Sequence, residues 1–167
     1  MDAGLVIARL VFGLVMAAHG AQKLFGWFGG FGIARTSGAF ESLGFRPGRL
    51  LAVAAGLSEF GGGLLLALGL FGPVGPALVI AVMTVATISV HWKKGLFATS
   101  NGIELPLLYA ACAAALALTG PGRYSLDVPL GLASVWTPRV SWSAIAIAIV
   151  VAIVNLILRR TPAAPKG

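Results

Sequence analysis

The sequence predicts an all-α integral membrane protein: a four-helix transmembrane bundle followed by a fifth, C-terminal transmembrane helix. Three observations carry this. Of 167 residues, 58% are hydrophobic and only 10% charged, where a soluble domain carries about 25% charged residues. A soluble fold of this length has too little interior to hide that much apolar surface. The apolar residues fall in five long runs without period-2 alternation, and backbone groups in hydrocarbon must be paired internally, which favours helices over a barrel.

The first run, roughly residues 5–24, follows an acid at position 2 and lacks a basic leader or a small-residue cleavage site, so it reads as a retained helix rather than a signal peptide. The stretch 26–48 is rich in Gly and Phe. Within it Thr36, Phe40 and Leu43 share one helical face, which leaves a short interfacial helix capping the bundle and a plain loop both open. The second run covers roughly 50–70. Gly72, Pro73 and Gly75 mark a tight reversal before the third, roughly 74–92. The fourth covers roughly 103–119. The fifth, roughly 142–158, stops at Arg159 and Arg160. Each is near the 20 or so residues a span needs. The chain therefore divides into a four-helix domain (1–128), an extracytoplasmic connection (129–141) carrying Trp136, a fifth transmembrane helix (142–160) and a polar cytoplasmic tail (161–167). The glycines suit close helix packing, and no internal repeat is evident.

Charge sets the orientation. The net charge is +7, but the basic residues sit between apolar runs, which is membrane patterning and not a nucleic-acid stripe. With five spans, one side collects Lys23, Arg35, Arg46, Arg49, Lys93, Lys94, Arg159, Arg160 and Lys166; the other collects Arg123 and Arg139, with Arg9 just inside its first helix. This places the N-terminus outside and the C-terminus in the cytoplasm. The single cysteine, Cys112, excludes an internal disulfide and a multi-cysteine metal or iron–sulfur site, and reads as a small buried hydrophobe. No metal centre is expected.

Ionisable residues within spans are costly and are functional candidates. Arg9, Phe12, Met16, His19 and Lys23 step by three and four along the first helix and form a stripe expected to face the other helices. Glu59 lies in the middle of the second helix beside Ser58, so it must be protonated or paired. Arg9 is the expected partner by charge, on the order of 7 Å higher along the bundle at a 1.5 Å rise per residue. A buried Arg9–Glu59 pair would fix helix register as readily as it would serve function. Thr84 and Thr87 lead down to His91, the two threonines reading as helix glue. Glu104 opens the fourth helix before Pro106, where the helix dipole favours an acid. Alternating helix direction brings His19, Gln22, Lys23, His91 and Glu104 to one end. The expected site is a cytoplasm-facing polar pocket of His19, Gln22, Lys23, Glu59, His91 and Glu104, able to hold a polar head group or relay protons.

At these residues the chain resembles a known family. RLVFGLVMAAHGAQKLFGWFGGFG, GLSEFGGGLLLALGL, VHWKKGLF with NGIELPLLY, and GPGRYSLD occur in order over roughly residues 5–128 and resemble the DoxX family of bacterial inner-membrane proteins. The resemblance implies a four-helix membrane bundle, from which the fifth helix departs as an accessory or an oligomer contact. That family is similar to the small subunit of a thiosulfate:quinone oxidoreductase and is linked to thiol and oxidative-stress handling with soluble partners. Arg9, His19, Gln22, Lys23, Glu59, His91 and Glu104 carry over by position, with Arg123, Tyr124 and Asp127 of GPGRYSLD, and none brings a catalytic role.

Two functional readings follow, with a third in which the polar residues only fix packing. The first, ranked higher on the resemblance, is the membrane subunit of a redox system that binds a quinone, His19 or His91 donating to its oxygen and Glu59 or Glu104 passing protons. The chain has no CxxC and no nucleotide-binding glycine motif after a strand, so electrons would come from a partner, such as a soluble redox protein on the cytoplasmic face, from a bound thiol donor, or from a haem, for which His19 and His91 are a less favoured bis-His pair. The second is a non-enzymatic binding or scaffold protein that holds a lipid or small hydrophobic ligand, or anchors a soluble partner. A homo-oligomer is compatible with either. The orientation is checked directly by reporter fusions: a fusion after Lys94 is expected to give a cytoplasmic signal and one after Gly122 none, and a cytoplasmic signal from the second would overturn the topology.

Overall fold

The computed structural model describes residues 2–160, and the expected polar tail, 161–167 with Lys166, lies outside them. The chain runs through α1 (Asp2–Phe25), α2 (Gly32–Ser42), α3 (Gly48–Leu68), α4 (Val74–Ala86), α5 (Glu104–Thr119) and α6 (Pro138–Ile157), with no strand among the described residues. The protein is an all-α membrane protein. Among the described residues four helices are long and apolar enough to cross a membrane: α1, α3, α6, and α4 extended through Lys94. The apolar α5 has 16 residues, about 24 Å at a 1.5 Å rise, because residues 95–103 fold as a loop before it.

The packing is inverted relative to a soluble bundle. Large side chains such as Ile7, Leu14, Leu57, Leu108, Ile147 and Val150 point outward, while Gly and Ala crowd the interior. Lipid tails are as apolar as Leu, so helices gain little by burying large hydrophobes and gain contact by approaching closely over small residues. The core joins Met16, Leu66, Val79, Met83, Ala113, Leu116 and Ile145. Helix α4 is central and packs on α3, α5 and α6. Cys112 of α5 is half-buried against that core.

The closest contact is between antiparallel α1 and α3, where backbone touches backbone. A Cβ on Gly63 would lie 2.5 Å from Ala17 N and Gly13 O, and one on Gly13 would lie 2.6 Å from Ala67 N and Gly63 O. This seam sets the register: Gly13 is level with Ala67, Ala17 with Gly63, Gly20 with Phe60, and Leu24 with Gly56.

The stretch after α1 is a helix, not a plain loop. Thr36 of α2 is buried; its hydroxyl donates to Gly32 O (2.8 Å) and reaches Lys23 O (3.4 Å), which seats α2 on the end of α1. Helix α4 continues past Ala86 through a π-type turn, Thr87–His91, in which Trp92 N donates to Thr87 O. Thr84 and Thr87 hydroxyls donate to the carbonyls four residues back, as helix glue does. Helix α6 begins at Pro138, earlier than the apolar run indicates, because Thr137 caps it by accepting from Val140 N and Pro138 starts it. Far from standing apart, α6 packs along α4.

Gly63→Leu should break the α1–α3 seam. Overpacking of this kind costs about 1–3 kcal/mol, so thermal unfolding in detergent should shift clearly downward. An unchanged melting temperature would mean that the two backbones are not in contact.

Candidate functional site

Glu59 projects from the middle of α3 and is fully buried, at 0% exposure. The carboxylate is paired with Lys23: Lys23 Nζ donates to Glu59 Oε1, and the lysine side chain keeps 34% exposure. The α1–α3 register explains the pairing. Glu59 is level with Ala21, two residues from Lys23. Glu59 Oε2 is buried and has no hydrogen-bond partner.

That carboxylate lines a cavity of about 350 Å³. The walls come from α3 (Leu51, Ala55, Ser58, Glu59), α4 (Val82, Val85, Ser89) with His91 of its π-type turn, and α6 (Val151, Ala152, Asn155), with Lys23 of α1 at its edge. Phe40 and Leu43 at the end of α2, with Phe45 beyond, form the roof. The roof is clasped to the end of α6: Arg160 N donates to Gly44 O (2.9 Å), and the Arg159 guanidinium lies 5.6 Å over the Phe45 ring. The lining is therefore apolar with a few convergent polar groups, the composition of a small-molecule site.

The polar groups have defined hydrogen-bond states. His91 Nδ1 lies 2.7 Å from Asn101 O. A carbonyl only accepts, so Nδ1 carries a proton and donates it to Asn101 O. Ser89 Oγ donates to Val85 O (2.6 Å), and Asn155 Nδ2 donates to Val151 O (2.9 Å). Taken together the cavity offers apolar walls and a few polar atoms, among them a buried carboxylate oxygen without a partner.

The expected pocket is assembled only in part. Lys23, Glu59 and His91 line the cavity, whereas His19, Gln22 and Glu104 do not. His19 is exposed and lies edge-on to Tyr109 of α5, with ring centroids 6.0 Å apart; the α1 stripe turns out of the bundle at this position. Gln22 Nε2 donates to Phe28 O (3.1 Å) and pins the glycine-rich turn. Glu104 Oε2 accepts from Ala98 N (2.7 Å) and orders the loop that precedes α5.

The expected Arg9–Glu59 pair does not form. Arg9 is level with Phe71, twelve residues from Glu59 along the seam, or about 18 Å at a 1.5 Å rise. Arg9 is instead 4% exposed at the other end of the bundle, where its guanidinium donates to Pro121 O and to Tyr124 O (2.9 Å). Beside it Asp127, also fully buried, accepts from Phe71 N (2.8 Å) and Gly72 N (2.7 Å). Those two residues have successive positive φ values of 58° and 48°. Their N–H groups thus make a small nest that an anion fills.

Sequence reasoning missed Ser89 and Asn155 as cavity residues. The signal for Asn155 was present: an amide near the end of WSAIAIAIVVAIVNLIL is out of place in lipid unless it faces the bundle.

A family model described as DoxX matches residues 4–92, over half of the chain, from α1 through His91. No curated protein and no solved structure matches the chain.

The ion pair predicts an asymmetric mutant pattern. Lys23→Met leaves a buried carboxylate uncompensated, a loss of about 3–5 kcal/mol. Glu59→Gln should cost less, because Lys23 can turn to solvent, and the double variant should recover part of the Lys23→Met loss. Arg9→Leu should add independently to Glu59→Leu, since sites more than about 7–10 Å apart without shared partners do not couple. Unfolding in detergent measures all of these, and coupling between Arg9 and Glu59 would refute the assignment.

Proposed function

We propose that this chain, which belongs to the DoxX family, is a membrane-embedded subunit of a redox system that binds a quinone-type head group in the Glu59 cavity. One observation carries this reading: a fully buried carboxylate with a free oxygen inside an apolar cavity within the spans. A buried polar atom without a partner costs free energy, roughly 1–3 kcal/mol or more. A ligand that pairs with it recovers that cost, and a bundle that only needed packing would do better with an apolar residue there.

The size suits a single substituted ring. Ligand cavities run from about 300 to 1,000 Å³, and this one is about 350 Å³. Quinone chemistry needs protons as well as electrons. In this reading Glu59 is the group beside the ring that passes protons, and its partner Lys23, being part-exposed, links it to the bundle end. His91 stands at the same end, its Nδ1 bonded to Asn101 O. The roles expected for His19 and Glu104 pass to His91 and Glu59, because only these line the cavity.

Electrons would come from a soluble redox partner, as Cys112 is the only cysteine and no nucleotide-binding motif is present. The docking face is the end that carries exposed Arg35, Arg46, Arg49, Lys93, Lys94 and Arg160. In the proposed orientation this end is cytoplasmic, with the N-terminus outside, in a bacterial inner membrane. Thiol, sulfur or oxidative-stress chemistry would then be the source of electrons. The same basic end favours a second reading, a scaffold that anchors a soluble partner without turnover.

Mild extraction of the native protein followed by mass spectrometry tests the two. A copurifying quinone, lost in Glu59→Leu, is the expected result. A phospholipid alone, or a soluble partner with no quinone, would sink the redox reading in favour of the scaffold.

A further inference from the structure

Among the polar atoms that line the cavity, the buried one without a partner is an acceptor, Glu59 Oε2. Glu59 is the anion of an ion pair, so both its oxygens only accept, and Oε1 already takes the Lys23 ammonium. The unpartnered Oε2 is therefore a buried acceptor waiting for a donor. Two other polar side chains of the wall spend a donor on the backbone of their own helix. Ser89 gives its hydroxyl hydrogen to Val85 O, and Asn155 gives an amide hydrogen to Val151 O. Their oxygens are left as acceptors. His91 gives its Nδ1 hydrogen to Asn101 O. Donors remain at the Ser58 hydroxyl, the second amide hydrogen of Asn155 and Lys23, whose charge is neutralised on Glu59 at the cavity edge, yet Oε2 is left without one.

We propose that the cavity recognises a ligand by the hydrogens it donates: a reduced, hydroxyl-bearing ring of the quinol type, in preference to the oxidised quinone. The proposal rests on the quinone-type reading above and deepens it. A quinone presents two carbonyl oxygens, which are acceptors only. Placed beside Glu59 Oε2 it would leave that oxygen unpaired and set lone pair against lone pair. A quinol presents two hydroxyls, one for Oε2 and one for an acceptor farther along the wall at Ser89 or Asn155. A carboxylate acceptor makes the stronger class of hydrogen bond. The same logic disfavours a phospholipid head group, whose phosphate would meet the Glu59 anion. The oxygen of Asn155 comes from α6, outside the matched residues 4–92, so part of this selectivity belongs to this chain's own last helix.

The test uses the full chain in nanodiscs, with duroquinol under anaerobic, reducing conditions and duroquinone as the matched oxidised ring. Binding is read by competition and by thermal shift. Duroquinol should bind on the order of tenfold more tightly or better, the range expected for one hydrogen bond to a charged acceptor. Glu59→Gln should remove most of that preference. Because that variant also leaves Lys23 unpaired, Lys23→Met with Glu59→Gln serves as the second test, and should lose the preference while keeping the fold. Asn155→Leu should narrow it. Equal or tighter binding of duroquinone to the native chain overturns donor recognition while leaving the quinone-type reading intact. Binding of neither ring overturns both. A preference that survives in the double variant overturns the assignment to Glu59.

Discussion

Gly13, Ala17 and Gly20 meet Gly56, Gly63 and Ala67 with no room for further side-chain atoms between them. Almost everything else in the bundle depends on that contact. In lipid there is little hydrophobic drive to hold two helices together, so close backbone approach supplies dispersion contact in its place. The approach also locks the sliding position of one helix on the other. Lys23 then falls within two residues of the level of Glu59, and Arg9 is carried to the opposite end.

The two ends of the bundle consequently serve different purposes. At the Arg9 end each buried charge has a backbone partner. The guanidinium takes the carbonyls of Pro121 and Tyr124, and Asp127 takes the amides of Phe71 and Gly72. These bonds tie the α3–α4 turn to the long connection that follows α5, so the connection is structural. At the Lys23 end a buried charge is only half satisfied, one oxygen facing a cavity. Arg9 Nε, Ser125 Oγ and Trp136 Nε1 also lack partners at the other end, but Glu59 Oε2 is the one of the four that belongs to a carboxylate lining the large cavity.

Helix α6 changes how the cavity is understood. The matched residues 4–92 contain Lys23, Glu59 and His91, the ionisable groups of the site. The wall that encloses them comes from Val151, Ala152 and Asn155, and the clasp on the roof from Arg159 and Arg160. The last helix thus adds a wall to the site beside the ion pair between α1 and α3.

The sequence by itself determined the class of molecule, the approximate helices and the short list of costly residues. Each follows from local rules: 58% hydrophobic composition, apolar runs of spanning length, and the expense of charge in hydrocarbon. Lys23, Glu59 and His91 were legible as candidates for that reason. The residues that meet were decided only by tertiary structure. Arg9 and Lys23 are equally good partners for Glu59 by charge, and only the axial register between α1 and α3 separates them. His19 shares the spacing of Arg9 and Met16, yet ends on the outside beside Tyr109, because helical periodicity does not say how wide the buried stripe is. Asn155 joins the site from more than 60 residues beyond His91, since α6 returns across α4. Spacing along one helix fixes a face, but pairing between helices depends on how closely their backbones can approach, and that belongs to both helices at once.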